Sequence, residues 1–266
     1  MTDLHFEADP AGHPPLLLVH GFLSSRNHWL ANANLSRHFR LIRVDLPAHG
    51  KSPAPSDDLA YTPEAMTLAL DRLRQHLGIE RWFMCGQSFG AGLTLRYALD
   101  HPERVIAQAF TNANAALRGA WDDARLAAHQ ARIDDLRENG RPALRRFAFH
   151  PCHARRFPEE IRKQLASDAD NCDVEGIIRI MRMGTPRLSV IGRLSETQVP
   201  SLLINGLRER AFQPVRDLAL ATLPGLQVID LDGGHSINIE QSEGFDSAVT
   251  RFFTACLAGA DPFHAR

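Results

Sequence analysis

Gly86-Gln87-Ser88-Phe89-Gly90 sets one serine between two glycines. The apolar run Trp82-Phe83-Met84-Cys85 precedes it, and a helix-favouring segment, Leu93 to Leu99, follows. The spacing predicts a tight turn between a buried strand and a helix, which strains the serine and lifts its hydroxyl above the sheet edge. Larger residues at the flanking positions would collide with the adjacent strand and helix, so both positions call for glycine. A serine hydroxyl is a weak nucleophile at neutral pH and needs a neighbouring base. Among 13 histidines, His235 stands out because Asp232-Gly233-Gly234-His235-Ser236 directly follows the last predicted strand. The carboxyl ends of parallel strands are where such proteins assemble their sites. A third group must orient the imidazole, and the expected chain order is serine, acid, histidine. Glu209, in Leu207-Arg208-Glu209 after the strand that ends at Gly206, is the acid favoured by position, with Asp217 as the alternative inside a helix after Pro214. The end of the preceding strand offers Asn112 and Asn114 rather than a carboxylate, which favours Glu209. Acyl transfer also needs donors aimed at a developing oxyanion. The main-chain amides of Phe89 and of Phe22, in His20-Gly21-Phe22, are expected to supply them. This scheme uses no cofactor and no metal.

The elements that must position these groups alternate along the chain. Leu16-Leu17-Leu18-Val19 and Leu41-Ile42-Arg43-Val44 read as buried parallel strands. The second ends in a Pro/Gly-punctuated loop, Asp45 to Ser52. Thr62 before Pro63 is an N-cap with proline at the first helical position, and Met66, Leu70, Leu73 and Leu77 define one face of a helix that Gly78 ends. After the serine turn, His101-Pro102 stops the second helix, and Val105 to Phe110 forms the next strand. Strands resume at Pro200–Gly206 and Leu226–Asp230, and a helix over 241–257 buries Phe245, Val249, Phe252 and Phe253. Strand–helix alternation of this kind predicts an α/β fold, with a mostly parallel central sheet and helices on both faces.

Between residues 115 and 197 the rhythm changes to several helices without a convincing strand. A structureless loop of that length is improbable in a compact domain. The expected organisation is therefore a core of residues 1–114 and 198–266 with a helical cap (lid) inserted over 115–197. The 266 residues carry a formal charge of −1 and are 44% apolar, which provides for a sizeable core and no broad basic surface for nucleic acid. No apolar stretch approaches the roughly 20 residues that span a bilayer. Cys85, Cys152, Cys172 and Cys256 show neither a Cys-x-x-Cys pair nor zinc-like spacing. The expectation is reduced thiols in a cytoplasmic protein that acts on a small molecule, without nucleic-acid or membrane partners.

With these motifs the chain resembles the α/β-hydrolase superfamily, in the branch with His-Gly-Phe after the first central strand. His20-Gly21-Phe22, Asp45-Leu46-Pro47-Ala48-His49-Gly50-Lys51-Ser52, the turn at Ser88 and Gly233-Gly234-His235 carry the resemblance, which covers nearly everything except the cap. It implies an eight-stranded-type sheet and a Ser88–Glu209–His235 triad. Ala48 stands where many relatives have glycine, and Glu209 where many have aspartate. Relatives that open epoxides or displace halide carry aspartate in place of Ser88. The remaining activities are hydrolysis of esters, thioesters, amides or carbon–carbon bonds, with some lyases and cofactor-free peroxidases. A small-molecule receptor on the same scaffold is the reading from another class. The cap is expected to roof an acyl pocket with Trp121, Phe147, Phe149, Phe157, Ile177, Ile180, Met181 and Met183. Arg145, Arg146, Arg155 and Arg156 are candidates to attract an anionic substrate, or form a solvated face.

Overall fold

Leu16, Leu17, Leu18 and Val19 are completely buried, as a strand covered on both faces requires. They belong to β2 (Pro15–Val19), which lies between β3 (Arg40–Val44) and β4 (Trp82–Gln87). The computed structural model describes residues 4–259. Seven strands pair within them in the order β1-β3-β2-β4-β5-β6-β7, with β1 (Phe6–Ala8), β5 (Val105–Thr111), β6 (Ser201–Gly206) and β7 (Gln227–Leu231) completing the sheet. Only β1 is antiparallel, against β3. The eight-stranded-type sheet implied by the resemblance is thus seven-stranded among the described residues.

Side-chain alternation divides the core into two faces. Leu17, Val19, Trp82 and Met84 pack with α1 (Pro63–His76) and α2 (Phe89–Asp100), while Leu16, Leu18, Phe83 and Cys85 face Phe245, Val249 and Phe253 on the C-terminal helix. Thr62 caps α1 by accepting the Ala65 amide at 3.3 Å. From β5 to β6 the chain forms no strand. It runs through α3 (Asp123–Asn139), α4 (Arg141–Leu144), α5 (Glu159–Asp170) and α6 (Val174–Arg179), with short tighter turns between them. These helices are tied to the sheet loops by Ser25 and Asn27 donating to Asp168, and by the Asp173 amide donating to the Ala48 carbonyl at 3.1 Å. After β6 come α7 (Gln213–Thr222), then α8 (Ile237–Glu240) and α9 (Ser242–Leu257). Among the described residues no helix is long and apolar enough to cross a membrane. All four cysteines are free, so Cys152 and Cys172 are unpaired thiols.

A buried polar chain joins α9 to the segment that follows His235. Asn32 donates to Asp246 at 2.8 Å and to the Asn238 carbonyl at 2.9 Å, and the Asn238 amide donates back to Asn32 at 3.0 Å. The second oxygen of Asp246 has no hydrogen-bond partner among the described residues. Burial, opposed by the Asn32 hydrogen bond, pushes the Asp246 pKa up to about 6 from 3.8. The folded state therefore holds this proton more tightly than the unfolded chain. The stability it contributes is full below about pH 4 and lost as pH rises through about 6. Asp246→Asn removes the cost of the charge. Thermal melts should show the variant gaining on the wild-type protein as pH rises from about 4 to about 8. A melting-temperature difference that stays constant over that range contradicts this account.

Candidate active site

Ser88 is held at φ 53° and ψ −111°, a conformation that costs of order 1–3 kcal/mol for a residue with a side chain. The turn closes because its neighbours are small: a side chain at Gly90 would overlap the carbonyl oxygens of Val19 and His20 at the end of β2. The same contact brings the turn after β2 against the serine, where a side chain at Gly21 would overlap Gln87 and stand 3.1 Å from Ser88 Cβ. Phe22 follows Gly21, and Phe89 opens α2. Neither main-chain amide donates to an acceptor among the described residues, and both residues line the same cavity as Ser88. Free amides at a helix start and an adjacent turn suit an oxyanion.

Two buried histidines, to which the sequence alone assigned no role, pin this turn. His20 Nδ1–H donates to the Gly21 carbonyl at 2.7 Å, and its Nε2 accepts the Leu46 amide at 3.0 Å. His49 Nδ1–H donates to the Pro47 carbonyl at 2.9 Å, and its Nε2 accepts the Leu23 amide at 3.1 Å. Each ring is therefore a neutral tautomer with both nitrogens satisfied. Burial, reinforced by the facing His49 ring, drives the His20 pKa well below 6.5, and burial drives that of His49 down to about 4. Ala48 has the positive φ of 65° that the glycine of many relatives would adopt without strain.

His235 and Glu209 meet at the ends of β7 and β6. His235 Nδ1–H lies 3.0 Å from both Glu209 oxygens. That donation leaves Nε2 as the basic nitrogen. Asn114 donates to Glu209 Oε1 at 2.8 Å, and Asn112 donates to Oε2. Asn112 Oδ1 also accepts the Gly206 amide at 3.1 Å, which fixes the end of β6. Burial alone would raise the Glu209 pKa, but the hydrogen bonds from His235, Asn112 and Asn114 outweigh it and hold the carboxyl below its usual range. Asp217 is an exposed partner of Arg216 at 2.8 Å and is not joined to His235. In the sequence the two asparagines mark only the absence of a carboxylate; their positions at the end of β5 are the available signal for their contact with Glu209.

Ser88, His235 and Glu209 line one cavity of about 600 Å³ at the carboxyl ends of the strands. Of the residues expected in an acyl pocket, Trp121, Phe147, Phe149, Phe157 and Met181 line it. Ile177, Ile180 and Met183 do not. Ile177 and Ile180 are fully buried in the core, and Met183 is partly buried against it, so these side chains serve packing rather than the cavity. The expected anion-attracting arginines are largely engaged elsewhere. Arg145 pairs with Asp170 and Arg146 with Asp135, while Arg155 lies outside the lining. Arg156 reaches the cavity but is paired with Glu240.

The family pattern described as the α/β hydrolase fold matches residues 14–242, and the chain belongs to that family. A provisionally named 2-succinyl-6-hydroxy-2,4-cyclohexadiene-1-carboxylate synthase of Bacillus subtilis strain 168 is 24% identical over 253 residues, covering 92% of each protein. A carboxylesterase of the same strain, described as uncharacterised, is 25% identical over 256 residues, covering 92% of this chain and 81% of that protein. The solved enol-lactonase of Burkholderia xenovorans LB400 superposes with a TM-score of 0.80 at 26% identity, covering 94% of this chain and 96% of that one.

Asn112→Ala would strip a buried amide and a partly buried carboxylate of partners at once. Denaturant melts should show a loss of about 1–3 kcal/mol, and a carboxyl NMR titration should show the Glu209 pKa rising. An unchanged titration would mean that Asn112 does not hold the acid.

Proposed function

We propose that the protein is a serine hydrolase of carboxylic esters or thioesters that works through an acyl-enzyme on Ser88. The observation that carries this reading is the Nδ1–H of His235 held 3.0 Å from both oxygens of Glu209, inside the cavity that Ser88 lines. In the mechanism, Ser88 Oγ attacks the carbonyl carbon while its proton passes to His235 Nε2. The Phe22 and Phe89 amides stabilise the oxyanion, and ionised Glu209 stabilises the imidazolium. Collapse expels the alcohol or thiol with the proton from Nε2 and leaves the acyl-enzyme. Water then attacks the acyl carbon, gives its proton to Nε2, and the second collapse returns that proton to Ser88 and releases the acid. Neutral His20 and His49 hold the amide turn without adding positive charge that would shift with pH.

The same reading takes residues 115–197 as a cap over a pocket for a small to medium acyl group, with Phe147, Phe149 and Phe157 supplying apolar contacts. The carboxylesterase and lactonase names of the two relatives support ester chemistry. A cytoplasmic location belongs to it too, supported by four free cysteines. The synthase name of the Bacillus relative favours a second reading, in which the same Ser–His–Glu set acts as a base in a lyase or in carbon–carbon bond cleavage.

Ser88→Ala and His235→Ala should each lower turnover of short p-nitrophenyl esters by about 10³-fold or more, judged from other triads. Glu209→Gln should cost less than either and clearly more than Asp217→Asn. A fluorophosphonate should add to Ser88 in the wild-type protein. Labelling without ester turnover would favour the second reading, and turnover that survives in Ser88→Ala would overturn both.

A further inference from the structure

The cavity carries more positive charge than its own carboxylates neutralise. Its lining includes Arg118, Arg125, Arg132 and Arg156 against Glu209 and Glu240. Both acids are engaged, Glu209 with His235 and the two asparagines, and Glu240 with Arg156 and the Gly234 amide. Arg118, in the segment after β5, and Arg125 and Arg132 on α3 have no ion-pair partner among the described residues. Elsewhere in the chain Arg26, Arg74, Arg145, Arg193 and Arg208 each meet a carboxylate within 3 Å.

Arg118 and Arg125 are both partly buried. Arg125 lies over the Trp121 ring at 5.7 Å, which orients the guanidinium without cancelling its charge. Arg118 is held below its usual pKa first by burial and then by Arg125, while Glu209 acts in the opposite sense. Two guanidiniums thus sense one another in a cleft, an arrangement that costs free energy until an anion enters. The same cavity is lined by aromatic rings, with Phe22 meeting Phe147 at 6.3 Å and Phe149 at 5.9 Å.

We propose that Arg118 and Arg125 form a carboxylate subsite, so that the substrate is a small ester or thioester bearing a free carboxylate besides its scissile carbonyl. A planar guanidinium fork matches a carboxylate with two parallel hydrogen bonds. Arg132, more exposed on the same helix as Arg125, also lines the cavity and adds to the attraction. The subsite rests on the hydrolase reading for its turnover, and on the cavity alone for its binding.

The experiment compares monophenyl succinate, glutarate and adipate with phenyl butyrate, valerate and hexanoate, which match them in acyl carbon count. Phenol release by the wild-type protein should favour the best of the charged series over its neutral partner by about tenfold or more in kcat/KM, because one charge-assisted hydrogen bond is worth about that much. The preference should shrink as salt rises, and should fall in both Arg118→Gln and Arg125→Gln. Calorimetry on Ser88→Ala should show binding of the favoured monophenyl ester that is weakened by adding either arginine substitution. The salt dependence uses unaltered protein, so misfolding of one variant does not decide the outcome. Equal kcat/KM for the two series at every salt concentration would overturn the subsite and leave the hydrolase reading intact. Arginine-dependent binding without turnover of either series would support the subsite and count against the hydrolase reading. Failure of Ser88→Ala to bind any monophenyl ester would overturn the subsite whatever the turnover.

Discussion

The backbone of Ser88 is the constraint on which the rest of the site depends. One residue at φ 53° reverses the chain from β4 into α2, and the turn fits only because Gly90 lies flat against the last carbonyls of β2. That contact sets the turn carrying Phe22 beside the serine. The parallel pairing of Val19 with Gly86 repeats the same registration in the sheet. Adjacency then extends strand by strand. The residues after β2, β4, β5, β6 and β7 contribute Phe22, Ser88, Asn112, Glu209 and His235, and in the sheet these strands lie next to one another in that order. Groups separated by more than 200 positions are neighbours because five parallel strands end on one side.

Charge is distributed around that geometry with some economy. His20, His28 and His49 are buried, and burial above all keeps them neutral by depressing their pKa values, to about 4 for His28 and His49. Their hydrogen bonds go to loop backbone and to polar side chains, so they stiffen the turns. The one carboxylate drawn toward His235 is stabilised by three donors despite its burial. Arg118, Arg125 and Arg132 line the cavity without an ion-pair partner among the described residues. A polar chain of His28, Asn32, Asn238 and Asp246 lies beneath the His235 segment and links it to α9.

Much of the fold was legible because its signals are local. Leu16–Val19 is an unbroken apolar run, Thr62-Pro63 announces a helix start, and Gly-x-Ser-x-Gly requires a strand before it and a helix after it. The short strand β1 was not, because Phe6–Ala8 is three residues long and gains its identity only by pairing with β3. The run of tight turns over Arg26–Arg37 was equally hidden; its polar sequence folds by capping on Ser25 and by burying Trp29 and Leu35. In the site, the loop positions of Glu209 and His235 could be read from the strands that precede them. The clamp of Asn112 and Asn114 on the acid could not, since it is a contact between the ends of two strands 95 residues apart. Residues between β5 and β6 were the least legible. Helical periodicity identifies the apolar face of Ile177 and Ile180, but not whether that face meets a cavity or the packed core.

The most direct test of the central claim is to catch the covalent intermediate. Protein mixed with an excess of a phenyl ester it turns over would be quenched in acid within the first turnover, digested, and its peptides weighed. The account predicts the mass of the acyl group on the peptide containing Ser88, and on no peptide of Ser88→Ala. Steady phenol release with an unmodified Ser88 peptide, or an acyl group carried on another residue, would contradict it.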